Sequence, residues 1–229
     1  MEKDQIISMV NAHHALFKAL AGGLNRLNLK NRFRHRAGCT LKTGVSFFKG
    51  VKIDNQGKNN RIVIGDFCRL TDCSVIFHGD GNTLTLGDFV TMNGVSLYME
   101  DDGNTIEIGN HNNFCGTTHL DLIEGTKITI GRDCLFSGAL QFRTGDSHSI
   151  LDLNGKRINP SKDIRVGNHV WIGSQVNCLK GTIIPDHCVV GSGSTLCKAY
   201  EQENCILAGV PAKIVKTGIT WDTQRLPIE

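Results

Sequence analysis

The sequence predicts an all-β solenoid, with short strands stacked coil upon coil, and three observations carry that prediction. Residues 61 to 148 divide into four rows of 22: RIVIGDFCRLTDCSVIFHGDGN, TLTLGDFVTMNGVSLYMEDDGN, TIEIGNHNNFCGTTHLDLIEGT and KITIGRDCLFSGALQFRTGDSH. A fixed internal period of this kind marks a repeat architecture, in which each repeat buries its apolar face on its neighbours. Each row opens on an aliphatic-x-aliphatic-Gly signature: Ile62/Ile64/Gly65, Leu84/Leu86/Gly87, Ile106/Ile108/Gly109 and Ile128/Ile130/Gly131. That alternation means a strand with one buried face, and the glycine turns the chain where a Cβ would obstruct it. After a break the signature returns as Ile164-Arg165-Val166-Gly167 and the period tightens to six, through Val166, Ile172, Cys178, Ile184, Val190 and Leu196. Four residues beyond each of the first five stands a small or β-branched residue: Val170, Val176, Thr182, Cys188 and Ser194.

Along the chain, residues 1–38 read as an N-terminal helical segment. Ile6, Ile7, Val10, Phe17, Leu20, Leu24 and Leu27 recur at three to four, so an amphipathic helix over 4–29 is expected to cap the open end of the solenoid or pack on its side. The one basic run, Arg32-Phe33-Arg34-His35-Arg36, reads as a solvated connector, with a membrane-surface contact as the other reading. Residues 39–212 form the solenoid. Its 22-residue coils carry four extra residues at a corner, in Gly/Asp/Asn-rich ends such as GDGN and DDGN. Residues 144–163, TGDSHSILDLNGKRINPSKD, interrupt the coil and read as a protruding loop held by a rigid scaffold, where chemistry is usually placed. Residues 213–229 are a C-terminal tail, with a short helix or tail over Lys213 to Trp221.

Charge is nearly balanced, 25 basic against 22 acidic residues, which argues against a general nucleic-acid-binding role. No apolar run approaches the ~20 residues that span a bilayer, and MEKDQIISMV has acidic residues where a signal peptide would be basic and then apolar. A cytoplasmic location is therefore expected. Nine cysteines, an odd number without a C-x-x-C pair, read as small buried thiols kept reduced.

The repeat is its own control. The column Val75, Leu97, His119, Gln141 turns from apolar to polar, and so does Phe77, Met99, Asp121, Arg143. Two readings stand: side chains facing solvent near a subunit contact, or contacts to a polar substrate. The polar strip leads toward His148 at the root of the loop, where the coil can fix its position. Asp146, two residues earlier, is placed to orient the ring, and a backbone carbonyl could do the same.

The six-residue period with its small residue at fixed offset resembles the hexapeptide repeat of left-handed parallel β-helices, built from three hexapeptides per triangular coil. Handedness comes from that resemblance, since ordinary crossovers are right-handed. Beyond style, GDSHSI, IRVGNHVWIGSQV with Trp171, VVGSGSTL and ILAGVPAKIVK together resemble the hexapeptide-repeat O-acetyltransferases that use acetyl-CoA, including sugar, capsule and O-antigen acetyltransferases. The resemblance implies acetyl-CoA as co-substrate without a metal, a carbohydrate acceptor, and a homotrimer with the coenzyme in the groove between subunits. It implies His148 as the general base and Trp171 beside the thioester sulfur. The N–H groups of Gly173 and Ser174 become oxyanion donors, Ser192 and Cys197 line the pantetheine arm, and Lys213 and Lys216 meet the nucleotide phosphates. Because the 22-residue rows differ from the compact coils of smaller members, His119, Asp121, Gln141, Arg143 and Asp146 rest on the row comparison alone.

Related nucleotide-sugar N-acyltransferases share the coil, so an amino group is the alternative acceptor. A β-helix metal site of the carbonic anhydrase type would have to gather three imidazoles from His111, His119, His148, His169 and His187. A non-catalytic scaffold would need none of GDSH, VWIG and GVPAK.

Overall fold

The computed structural model describes residues 3–35 and 38–228, which leaves Arg36 of the basic run outside the described residues. The chain forms a left-handed parallel β-helix of about seven turns, whose three sheets are the faces of a triangular prism. The first face has eight strands, the second seven and the third nine. In each coil the chain visits the first, second and third face in turn.

Register follows the sequence period. On the second face Ile62, Leu84, Ile106 and Ile128 stand opposite one another at steps of 22, and Val166 pairs with Ile184 at a step of 18. The six-period residues Val166, Ile172, Cys178, Ile184, Val190 and Leu196 all point inward, as do the small residues between them. The extra residues of the longer coils lie at the corner between the first and second faces. There a ladder of buried side chains pairs the corner's backbone N–H groups: Asn60 Oδ1 accepts from Asn82 N at 2.6 Å, Asn82 Oδ1 from Asn104 N at 2.8 Å, and Asn104 Oδ1 from Thr126 N at 3.1 Å. The signature glycines sit where coils touch, since a Cβ on Gly109 would lie 2.6 Å from the Gly131 carbonyl oxygen.

The N-terminal segment forms two helices, α1 (Lys3–Ala12) and α2 (His14–Leu27), where one was expected. The break falls at His13, with φ −127° and ψ 35°. The bend lets Val10 and Ala21 pack with Val45, Phe17 and Phe67 while His14 Nε2 reaches Asp66 at 2.9 Å. The segment does cap the open end. Asn25 Nδ2 donates to Ser46 O and Asn25 Oδ1 accepts from Phe48 N, both at 2.8 Å, so the helix supplies partners that a further coil would have given.

Two sequence boundaries move, and the cysteine reading needs a qualification. The basic run is no connector: Arg32–His35 is the first strand of the first face, with Phe33 packed against the core and Arg32 and Arg34 exposed. Its R-F-R-H alternation is a strand pattern that the charges obscured. Lys213 to Trp221 is not helical, because Ala212–Thr217 folds back antiparallel on Cys205–Gly209 and closes the third face. Two of the nine cysteines, Cys115 and Cys197, are exposed at corners, while burial pushes the Cys134 thiol up to about 12. Among the described residues no helix is long and apolar enough to cross a membrane.

Candidate active site

The polar strip is real but arises differently from the row comparison. Leu97 pairs with Leu120 and then Phe142, so the apolar column continues unbroken inside the prism. One residue is gained before the strand Thr118–Leu122 and given back in the following corner, which shifts the third and fourth rows by one on this face alone. His119 and Gln141 therefore continue the outward column of Ser96, and Asp121 and Arg143 that of Tyr98. They are outward positions of an alternating strand, not apolar positions turned polar.

Asp121 and Arg143 pair at 3.5 Å and line a cleft of about 150 Å³ with Tyr98, Glu100, Leu122, Ile123, Gly145 and Ser147. Burial holds the Asp121 carboxyl above the usual range, and the Arg143 guanidinium pulls partly against it. His119 and Gln141 are exposed on the same face and do not line this cleft.

Ser147, the residue before His148, lines that cleft, and the loop that carries both is rooted in the coil. Thr144, fully buried, accepts from Thr126 Oγ1 at 2.6 Å and from Ile123 N at 3.2 Å, and its carbonyl receives Lys162 N at 2.9 Å where the loop closes. Register gives Lys162, not His148, the corner position of Asn82, Asn104 and Thr126. The loop is also braced across its width. Buried Asn159 donates through Nδ2 to Asp146 Oδ2 and His148 O, each at 2.8 Å, and accepts from Ile150 N at 2.8 Å. Arg157 pairs with Glu124 from the coil below, and its hydrogen bond holds the Glu124 carboxyl down at about 2.

Asp146 does not orient the imidazole. Its carboxylate is taken by Lys180 and Asn159, and Lys180 holds its pKa below the usual range. The contact with His148 runs through the backbone, His148 N to Asp146 O at 2.7 Å. The ring itself is exposed and makes no hydrogen bond among the described residues. It is available to a ligand.

Trp171 lies elsewhere, on the outward side of the third face and 38% exposed. Its register neighbours form one row: Leu135, Trp171, Val189, Ile206 and Lys216. Lys213 joins this side because the strand pair carries a bulge at Ile206/Leu207, so both lysines pair with outward residues, Ala208 and Ile206, despite their odd spacing. An apolar strip thus runs from the indole to two cations, roughly 14 Å at the ordinary strand spacing.

Gly173, Ser174 and Ser192 cluster at the corner between the third and first faces. A Cβ on Gly173 would lie 2.7 Å from Ser192 Oγ, and Gly193 N donates to Ser174 O at 2.9 Å. The Gly173 N–H is already given to Val190 O at 2.8 Å, which removes it as an oxyanion donor and leaves Ser174. Cys197 is separated from this group. It follows the strand Thr195–Leu196 and lies at the corner between the first and second faces, on the edge that carries the His148 loop. Of the five histidines considered for a metal, His111, His169 and His187 share the corner between the second and third faces, with His169 Nδ1 3.2 Å from His187 Nδ1, while His119 and His148 stand apart from them. Among the described residues no three His, Cys, Asp or Glu gather as a metal-binding group.

No family model matches the chain. The crystal structure of the polysialic acid O-acetyltransferase OatWY superposes with a TM-score of 0.77 and 32% identity, over 87% of this chain and 90% of that one. The chain belongs to the hexapeptide-repeat O-acetyltransferases. A polysialic acid-specific acetyltransferase, NeuO, matches this family member with a TM-score of 0.69 and 30% identity, over 85% of this chain and 79% of that one. In sequence, the polysialic acid O-acetyltransferase of Neisseria meningitidis is 39% identical over 92 residues, 40% of this chain and 43% of that protein. A putative lipopolysaccharide biosynthesis O-acetyl transferase of Escherichia coli K12 is 34% identical over 96 residues, 38% of this chain and 48% of that protein. The aligned segment spans less than half the length of these curated relatives.

Sequence reasoning missed the residues that set the loop: Thr144, Asn159 and Lys180. Only the Asn-Pro pair at 159 and 160 gave a local signal. It also passed over Trp221, one of two tryptophans in the chain, which packs against His169 and Trp171.

Proposed function

We propose that the protein transfers an acetyl group from acetyl-CoA to a hydroxyl of a sugar or polysaccharide, with His148 as general base. The observation that carries this reading is an imidazole with no hydrogen-bond partner among the described residues, on a loop rooted in the coil, in a chain belonging to this family. The acceptor hydroxyl gives its proton to His148 as its oxygen attacks the thioester carbonyl. Ser174 N–H meets the developing oxyanion, and collapse expels the coenzyme thiolate, which regains the proton from the imidazolium. Asp121 and Arg143 contact the acceptor beside the loop.

The donor lies along the third face. The apolar strip of Val189 and Ile206 suits the pantetheine arm, and Lys213 and Lys216 suit the phosphates as point charges. His148 leaves the corner between the first and second faces, whereas Trp171 stands on the third. One chain does not close this site, so a second copy supplies the other half, in the homotrimer that a three-faced prism accommodates. The cytoplasm, where buried thiols stay reduced, is the proposed compartment.

The test is release of coenzyme thiol from acetyl-CoA in the presence of neutral, amino and acidic oligosaccharides. Transfer that requires a carbohydrate hydroxyl supports the reading, and transfer to amino sugars alone replaces it with N-acylation. Changing Lys213 and Lys216 together to Ala is expected to raise the KM for acetyl-CoA about tenfold, most strongly at low salt, with kcat little changed. An unchanged donor KM would put the phosphates elsewhere.

A further inference from the structure

The C-terminal strap beyond the last strand packs onto the third face, and Trp221 is fixed there from several sides. Its Nε1–H donates to His169 O at 2.8 Å, and its ring stacks on the His169 imidazole with centroids 4.4 Å apart and planes 10° apart. Two residues earlier the strap is tied down, with Ile219 N donating to Asn204 O at 3.0 Å and Asn204 Nδ2 to Ile219 O at 3.1 Å. The His169 platform is itself held, because its N–H donates to Arg132 O at 2.8 Å and its Nδ1 lies 3.2 Å from His187 Nδ1.

Trp171 has no comparable support. Its strand is two residues long, its indole makes no hydrogen bond among the described residues, and its register neighbours are the small contacts of Leu135 and Val189. Among the described residues the one aromatic ring against it is Trp221, centroids 6.1 Å apart and tilted by 45°, within the range where ring pairs attract. Trp221 also forms one wall of a cleft of about 410 Å³ with His111, Asn113, Asp133 and Leu135, directly beside the Trp171 row.

We infer that Trp221 is a positioning residue: the strap presents a fixed indole that sets the orientation of Trp171 against the acyl donor. The inference rests on the proposed placement of the donor along the third face. A residue acting through another leaves a particular signature, since its loss matters only while its partner is present. Removing Trp221 frees Trp171 in the ground state and the transition state alike, so the effect falls on KM more than on kcat.

The experiment is a double-mutant cycle on the full chain, with W221A, W171A and W171A/W221A compared in KM and kcat for acetyl-CoA, and W221F as the conservative variant. Thermal unfolding and oligomeric state are followed for each protein. W221A is expected to raise the donor KM about five- to tenfold with kcat within about threefold, W221F to restore most of it, and W221A to add nothing to W171A. Independent, multiplying effects would overturn the inference, because Trp221 would then act without Trp171. So would a W221A protein with wild-type KM while W171A is impaired. If W171A itself leaves the donor KM unchanged, the donor placement fails and the inference falls with it. If W221A lowers kcat and unfolding temperature together and W221F rescues neither, the strap is structural only.

Discussion

Replacing His148 with Ala is expected to lower kcat by ~10²–10⁴, or about 3–5 kcal/mol of barrier, the usual range for a general base. A sugar hydroxyl is a weak nucleophile, and the imidazole is the one base that the loop presents without a partner of its own. The fold should not respond. The ring is exposed and unbonded, and the loop is held instead by Asn159, Asp146 with Lys180, and Glu124 with Arg157. The variant should therefore unfold at the wild-type temperature and bind coenzyme A normally. Single-turnover transfer separates the possibilities: a wild-type rate at neutral pH would remove His148 from catalysis.

Changing Phe136 to Ala should have the largest effect on stability, about 3–5 kcal/mol. Phe136 is fully buried, stacked on Phe114 at 4.2 Å with planes 5° apart, and set edge-on to Phe142 at 6.2 Å. The substitution opens a cavity among three coils, and it removes two ring contacts worth about 0.5–1.5 kcal/mol each. Since a domain has only about 5–15 kcal/mol in hand, the denaturation midpoint should fall substantially. A change on the outward side of a strand, such as Thr85→Ala, should stay within about 0.5 kcal/mol. A loss under 1 kcal/mol in the Phe136 variant would mean that the coils close around the gap.

The solenoid was legible because its periods are physical. A side chain that must meet its counterpart in the next coil recurs at the coil length, and Ile62, Leu84, Ile106 and Ile128 do so at 22. The same logic failed where one face slipped against the others. A residue inserted before Thr118 and removed after Leu122 leaves the overall period intact, so the row comparison aligned His119 with Leu97 when its true neighbour is Ser96. The strand Arg32–His35 was hidden by its charges, although Phe33 marks its inward side. Ala212–Thr217 carries no repeat signal because it runs antiparallel to the strand it covers.

Of the candidate site, the loop and its histidine could be seen as a break in the period. The division of the site between faces could not. Sequence spacing from His148 to Trp171 says nothing of direction, and only the sheet order shows the two residues leaving different sides of the prism. The partners of Asp146 were equally hidden, since Lys180 comes from a later coil. Trp221 reaches Trp171 through a strap that no periodic rule describes.

A site shared between copies makes a direct demand on mixed assemblies. One protein carries His148→Ala, and the other carries Trp171→Ala with Lys213→Ala and Lys216→Ala. Each is tested alone and after the two are refolded together at equal concentration, with acetyl-CoA held well below its wild-type KM so that a donor-binding defect is fully expressed. Random assortment pairs an intact His148 loop with an intact third face at about one site in four, so the mixture should recover about a quarter of wild-type transfer activity while each parent stays near background. If both halves came from the same chain, every site would carry a defect, and a mixture no more active than its parents would contradict the shared site.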